Sequence, residues 1–108
     1  MAPHADNSAI DATAGASYAY LPVGFDQLRV FTVLITNNGS NELTWKVEAD
    51  MDAGFANAQE LKAEAALAGA AKTNTSIVDT PWKFVRVGYK ATTATQTTTC
   101  SVWVHAIP

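Results

Sequence analysis

Residues 28–36 read LRVFTVLIT, followed by Asn37-Asn38-Gly39-Ser40 and then by LTWKVEAD at 43–50. In the first stretch both alternating sets are largely apolar, with Phe31, Val33 and Ile35 on one face and Leu28, Val30 and Leu34 on the other. A strand of this kind is either central, with cover on both sides, or set at a subunit interface. Asparagine followed by glycine supplies the positive-φ residues of a tight hairpin turn, so 37–40 predicts a hairpin. The stretch 42–50 then alternates. Leu43, Trp45, Val47 and Ala49 form a dry face, and Glu42, Thr44, Lys46, Glu48 and Asp50 a wet one.

The same texture continues outward. WKFVRVGYK at 82–90 sets Val85, Val87 and Tyr89 opposite Trp82 and Phe84, with Arg86 in the second set and Pro81 at the strand entrance. TTCSVWVHAI at 98–107 places Cys100, Val102, Val104 and Ala106 on one face and Trp103, His105 and Ile107 on the other. Six threonines in the eight residues 92–99 favour extended structure and predict a threonine-faced hairpin arm. Residues 57–70 are ambiguous. Asn57 and Glu60 form a capping-box pattern ahead of good helix formers, yet Leu61, Ala63, Ala65 and Leu67 alternate as a strand would. Residues 1–16 are small, polar and without period, and read as a flexible N-terminal arm ahead of one domain at 17–108. The fold class is all-β: a jelly-roll-like antiparallel β-sandwich of about six to eight short strands.

Composition excludes more than it suggests. The chain has 108 residues, 7 basic against 10 acidic, a net charge of -3 and only 16% charged residues, against about 25% in an ordinary soluble domain. Alanine (20) and threonine (13) fill the gap. The acidic balance disfavours a nucleic-acid partner. The first twenty residues hold Asp6 and Asp11 and no long apolar run, so neither a secretory leader nor a membrane span is expected. The triplets Asn38-Gly39-Ser40 and Asn74-Thr75-Ser76 match the glycosylation pattern but read as turns.

Candidate chemistry is sparse. Cys100 alternates inward as a small hydrophobe, and no histidine stands near it in sequence to act as a base. His4 and His105 lack the further ligands that a metal centre needs, and no cofactor is expected. Asp50-Met51-Asp52-Ala53-Gly54 resembles the start of a calcium loop but lacks the later ligands, so it reads as the turn that closes a strand. The tryptophans could stack on a sugar, yet all three fall within or beside predicted strands rather than in loops. Apolar residues on both faces of so small a sandwich point instead to assembly. The interface candidates are Phe31, Val33, Ile35, Trp82, Phe84, Arg86, Trp103 and His105.

Five phrases carry a family resemblance: Asp26-Gln27-Leu28-Arg29-Val30, Leu43 to Glu48, Asp50 to Phe55, Thr80 to Val87, and Ser101-Val102-Trp103-Val104. In this order they resemble the small β-sandwich structural proteins of tailed bacteriophage virions. The proline–aromatic–x–aromatic–x–arginine–valine phrase is matched by Pro81, Trp82, Phe84, Arg86 and Val87. The acidic turn departs from the pattern, with Ala53 before Gly54. The resemblance implies a strand at 61–67 and a non-enzymatic capsid decoration protein, trimeric on the capsid surface. Its partners would be its own copies and the major capsid protein, with the arm along a neighbouring subunit. It places Arg86 at an interface or buried against Asp50, Asp52 or Asp79. The alternative is a tail- or fibre-associated module with carbohydrate-binding ability.

Overall fold

The computed structural model describes residues 5–24, 30–52, 54–78 and 84–107. Eight strands form two four-stranded antiparallel sheets. They are β1 (Ala5–Ala14), β2 (Ala19–Gly24), β3 (Val30–Asn37), β4 (Leu43–Asp50), β5 (Gln59–Leu67), β6 (Lys72–Val78), β7 (Phe84–Ala91) and β8 (Thr98–Ile107). The first sheet runs β1-β8-β3-β6 and the second β2-β7-β4-β5. This is the strand order of a jelly roll, in which the chain passes between sheets at nearly every connection. Only β4 and β5 are consecutive strands that also pair. The sandwich expected from the sequence is therefore the fold observed.

The 37–40 turn does something other than the sequence pattern predicts. Strand β3 pairs with β6 and β8, whereas β4 pairs with β5 and β7, so the segment between them arches from one sheet to the other and closes no hairpin. Gly39 does not adopt a positive φ. It is required for close approach, because a Cβ there would collide with Thr98 Oγ1. Asn37, with no exposed surface, holds the arch from inside. Its Nδ2 donates to the carbonyls of Asn41 (2.7 Å) and Leu67 (3.1 Å), and its Oδ1 accepts from Thr98 Oγ1 (2.7 Å) and Gly39 N (3.1 Å). One side chain thus joins the end of β3, the arch, the end of β5 and the start of β8.

Three other segments resolve or depart from expectation. Residues 59–67 are strand β5, so helix propensity yields to pairing with Leu43–Ala49 of β4. Register shifts opposite Trp45, Val47 and Glu48 disturb the alternation there. Residues 5–14 are no free arm, since β1 pairs along β8 as an edge of the domain's own sheet. The threonine-rich stretch is an exposed loop over residues 92–97 that carries the chain from β7 to β8, with only Thr98 and Thr99 in a strand. Asn38 does lie in the arch, but Asn74 and Ser76 lie in strand β6 rather than in a turn. His4, Asp26–Arg29 and Asp79–Trp82 fall outside the described residues.

The core lies between the sheets. Val33 and Ile35 of β3 and Cys100, Val102 and Val104 of β8 meet Leu43, Trp45, Val47 and Ala49 of β4 and Val85, Val87 and Tyr89 of β7. Burial of a valine- or leucine-sized side chain contributes about 1.5–3 kcal/mol, so this layer is the main stabilising term. Val33 and Ile35 have no exposed surface, so the area expected to serve an interface is used inside the domain. The Trp45 Nε1 is enclosed without an acceptor, and the ammonium of Lys62 stands 5.4 Å from the indole centroid.

Candidate functional site

A sandwich with a closed core leaves two outer sheet faces on which function can be built, and here the two differ in kind. On the β2-β7-β4-β5 sheet the outward residues of β4 are not the wet face that alternation predicts. Glu48 is 7% exposed and Asp50 6%. Glu48 is covered by a partner from far along the chain, and Asp50 by the loop that follows it.

Arg86 of β7 lies beside Glu48 in register. Its Nε and Nη2 reach Glu48 Oε1 at 3.0 and 2.9 Å, while Lys46 Nζ reaches Oε2 at 3.1 Å. The guanidinium carbon stands 3.7 Å from the Tyr20 ring centroid and 4.3 Å from that of Phe55. Tyr18 and Tyr20 stack at 5.9 Å, and they cross β7 at Gly88. A Cβ on Gly88 would lie 3.0 Å from Tyr20 Cε1 and 3.1 Å from Tyr18 Cδ1. Lys46 and Lys90 stand over Tyr18 at 4.2 and 4.7 Å. The Tyr18 hydroxyl is enclosed without a well-formed hydrogen bond, and that enclosure, followed by the nearby Glu64 carboxylate, raises its pKa.

The β4–β5 loop supplies Phe55 to this cluster. Asp50 accepts from the backbone N–H of Asn57 (2.9 Å) through Oδ2 and from that of Asp52 (3.1 Å) through Oδ1. Those donors hold its carboxyl below the usual value, Asn57 first, against the opposing effect of burial. Phe55 takes φ 54°, a left-handed conformation uncommon for a bulky side chain, with its N–H on Asp52 O at 3.0 Å. The acidic stretch therefore braces a turn, as the sequence reading has it. Among the described residues Arg86 finds its ion-pair partner in Glu48, not in Asp50 or Asp52, and Asp79 lies outside them. Opposite charges and stacked rings satisfy one another across this face, so it covers itself.

Among the described residues the outer face of the β1-β8-β3-β6 sheet has no such cover. Leu34 of β3 and Trp103 of β8 are directly paired in register and are 45% and 43% exposed. Around them stand neutral polar groups. Thr32 and Ser76 share a hydroxyl hydrogen bond of 3.0 Å, and Asn38 Nδ2 donates to Ser101 Oγ at 2.8 Å. A groove of about 450 Å³, lined by Leu34, Thr36, Lys72 and Asn74 among others, runs beside the apolar pair. His105, half-buried, pairs with Thr32 on the same face.

The sequence-derived interface candidates thus separate. Trp103 and His105 share the uncovered face; Phe84 and Arg86 lie on β7, with Arg86 inside the self-covering cluster; Val33 and Ile35 are core; Phe31 is placed in β3 opposite Ala106. Leu34 went unselected, although its place opposite Phe31, Val33 and Ile35 in the alternation was the available signal. Tyr20, Glu48 and Phe55 carry none, because 28 and 35 residues separate Tyr20 from the other two. As for reactive groups, burial pushes the Cys100 thiol up to about 11. Among the described residues no three His, Cys, Asp or Glu side chains converge as a metal site.

No family model and no curated protein matches the chain. Solved structures do. A protein from Bacillus endospore appendages, which form a novel family of disulfide-linked pili, superposes at a TM-score of 0.63 and 14% identity over 99% of this chain and 90% of that one. The SPBc2 prophage-derived protein YomS gives 0.60 at 11% identity, covering 100% of this chain and 97% of its own. The PBSX exported protein XepA gives 0.59 at 10%, covering 94% of this chain and 36% of its own. At these identities the likeness is one of fold.

Proposed function

We propose that the chain is a non-enzymatic structural subunit of a surface assembly, specifically a capsid decoration protein, that docks through the outer face of the β1-β8-β3-β6 sheet. The observation that carries this reading is the contrast between the two faces: on one, Tyr20 and Phe55 pack on an Arg86 that is already paired with Glu48, while on the other Leu34 and Trp103 stand side by side in contact with water. An exposed apolar centre rimmed by polar groups, neutral apart from Lys72 and His105 among the described residues, has the anatomy of a protein–protein contact, with an aromatic anchor. A prophage-derived protein of the same fold supports the setting in a virion. Docking on the major capsid protein would cover this face and stabilise the shell by mass action.

The test is cosedimentation with purified capsids. Trp103→Asp and Leu34→Asp each place a charge at the centre of the contact and should reduce capsid occupancy at least tenfold. Tyr20→Ser, on the opposite face, should leave occupancy unchanged. Full occupancy by Trp103→Asp, with its thermal unfolding unaltered, refutes the reading. A second reading rests on the same exposed indole: Trp103 could stack on a neutral sugar, with the groove amide of Asn74 on the other side of Leu34 as a hydrogen-bonding group. Glycan binding lost in Trp103→Ala, together with no affinity for capsids, would select that reading.

A further inference from the structure

An open sandwich of two four-stranded sheets has four edge strands, here β1, β6, β2 and β5. Edges present unpaired backbone donors and acceptors, and proteins blunt them with proline, bulges or charge. Three of these four are blunted. Strand β2 carries Pro22. Strand β1 breaks register between Ala9 and Ala12. Strand β5 faces two register shifts and carries Glu60, Lys62 and Glu64. Strand β6 has none of these devices. It pairs with β3 without a break from Val30↔Val78 to Thr36↔Lys72, and KTNTSIV contains no proline, no glycine and one charge, at its first residue.

We propose that β6 is a strand-addition edge and that its occupant is β6 of a second copy of this chain, joined antiparallel about a two-fold axis at Thr75. The sequence of the strand is what selects a second copy. With Thr75 opposite itself, Asn74 faces Ser76 of the second copy on the outer surface, and Ser76 faces the second copy's Asn74. These are short polar side chains that can bond across a pair, as Ser76 already does with Thr32. Each Lys72 stands opposite a Val78 position, so the two ammonium groups lie at opposite ends of the seam. Six residues at about 3.4 Å each separate them by roughly 20 Å, beyond the ~8–10 Å screening length of ordinary buffers. Like charges therefore never meet. An isologous two-fold contact of this kind closes on itself and consumes both open edges. It extends the first sheet to eight strands and sets two Leu34–Trp103 pairs on one continuous face.

This proposal differs from the trimer that the family resemblance implies, and it concerns the edge of the sheet, not its docking face. Sedimentation equilibrium over a concentration series distinguishes them. The wild-type chain should approach twice its mass of 11.4 kDa as concentration rises. The double variant Asn74→Lys/Ser76→Lys sets lysine opposite lysine twice and should sediment as a monomer. Asn74→Lys/Ser76→Glu sets opposite charges across the same seam and should restore the dimer, with a dissociation constant at least tenfold below that of the lysine pair. As a variant-free readout, amide exchange across residues 72–78 should slow as wild-type concentration rises. A wild type that stays monomeric, a mass of three subunits, or a dimer that survives the lysine pair would each overturn the proposal.

Discussion

Replacing Asn37 by leucine keeps much of the side-chain volume and removes all four hydrogen bonds that tie the β3–β4 arch to β5 and β8. Two of those bonds, to Leu67 O and from Thr98 Oγ1, are buried; the other two, to Asn41 O and from Gly39 N, are partly reached by solvent. A buried polar group left without a partner costs about 1–3 kcal/mol, so the two stranded groups predict a loss of roughly 4 kcal/mol. That is a large share of the ~5–15 kcal/mol that holds a domain folded. Urea unfolding followed by tryptophan fluorescence reads the loss, because Trp45 is buried in the core and becomes exposed on unfolding. The midpoint should fall with the slope unchanged. Adding Thr98→Val removes one of the two stranded groups, so the double variant should be less destabilised than the sum of the single ones by about 1–2 kcal/mol. Asn37→Asp should be worse than leucine, because an oxygen would replace the donor that faces two carbonyls. A loss below about 0.5 kcal/mol for Asn37→Leu, or strict additivity with Thr98→Val, would refute the view that this side chain holds the two sheets in register.

Three further outcomes follow from the packing. Cys100, with its thiol raised to about 11 by burial, should resist thiol reagents at neutral pH in the native state and react only on unfolding; because the buried form is neutral, its contribution to stability is present below the unfolded value of about 8.5 and fades as pH climbs towards 11. Native-state labelling as fast as in urea would contradict this. Asp50 is held low by the N–H groups of Asn57 and Asp52, so its contribution is complete above the unfolded value of about 3.9 and is lost as pH falls through its lower folded value; a carboxyl titration by NMR that places Asp50 at or above the ordinary range would refute the brace. Gly88→Ala should push the Tyr18 and Tyr20 rings outward by a few tenths of an ångström and cost about 1–3 kcal/mol in urea unfolding, and a neutral result would show that the rings do not depend on that contact.

Alternation identifies the strand at β4, and dense runs of β-branched and aromatic residues identify those at β3, β7 and β8. Connectivity was not legible, since Asn38-Gly39 looks alike in a hairpin and in an arch. The difference lies in which strands lie beside β3, and those partners come from residues 72–78 and 98–107. Strand β1 escaped notice because ADNSAIDATA has no apolar alternation; its place is set by backbone pairing with β8. The self-covering face was equally hidden. Glu48 looks solvated until Arg86, 38 residues later, is set beside it by the register of β4 and β7. The uncovered face was half visible, through Trp103 and His105, while Leu34 was obscured by the equally apolar residues on either side of it.

The proposed docking gives the two faces of this sandwich opposite fates, with only the β1-β8-β3-β6 face meeting a partner. Hydroxyl-radical footprinting of the free protein and of the capsid-bound particle measures both at once. Oxidation of Trp103 and Leu34 should fall at least tenfold on binding, while Tyr20, 36% exposed on the other face, should react at its free-protein rate. Protection of Tyr20 with Trp103 still fully reactive would contradict the proposed docking.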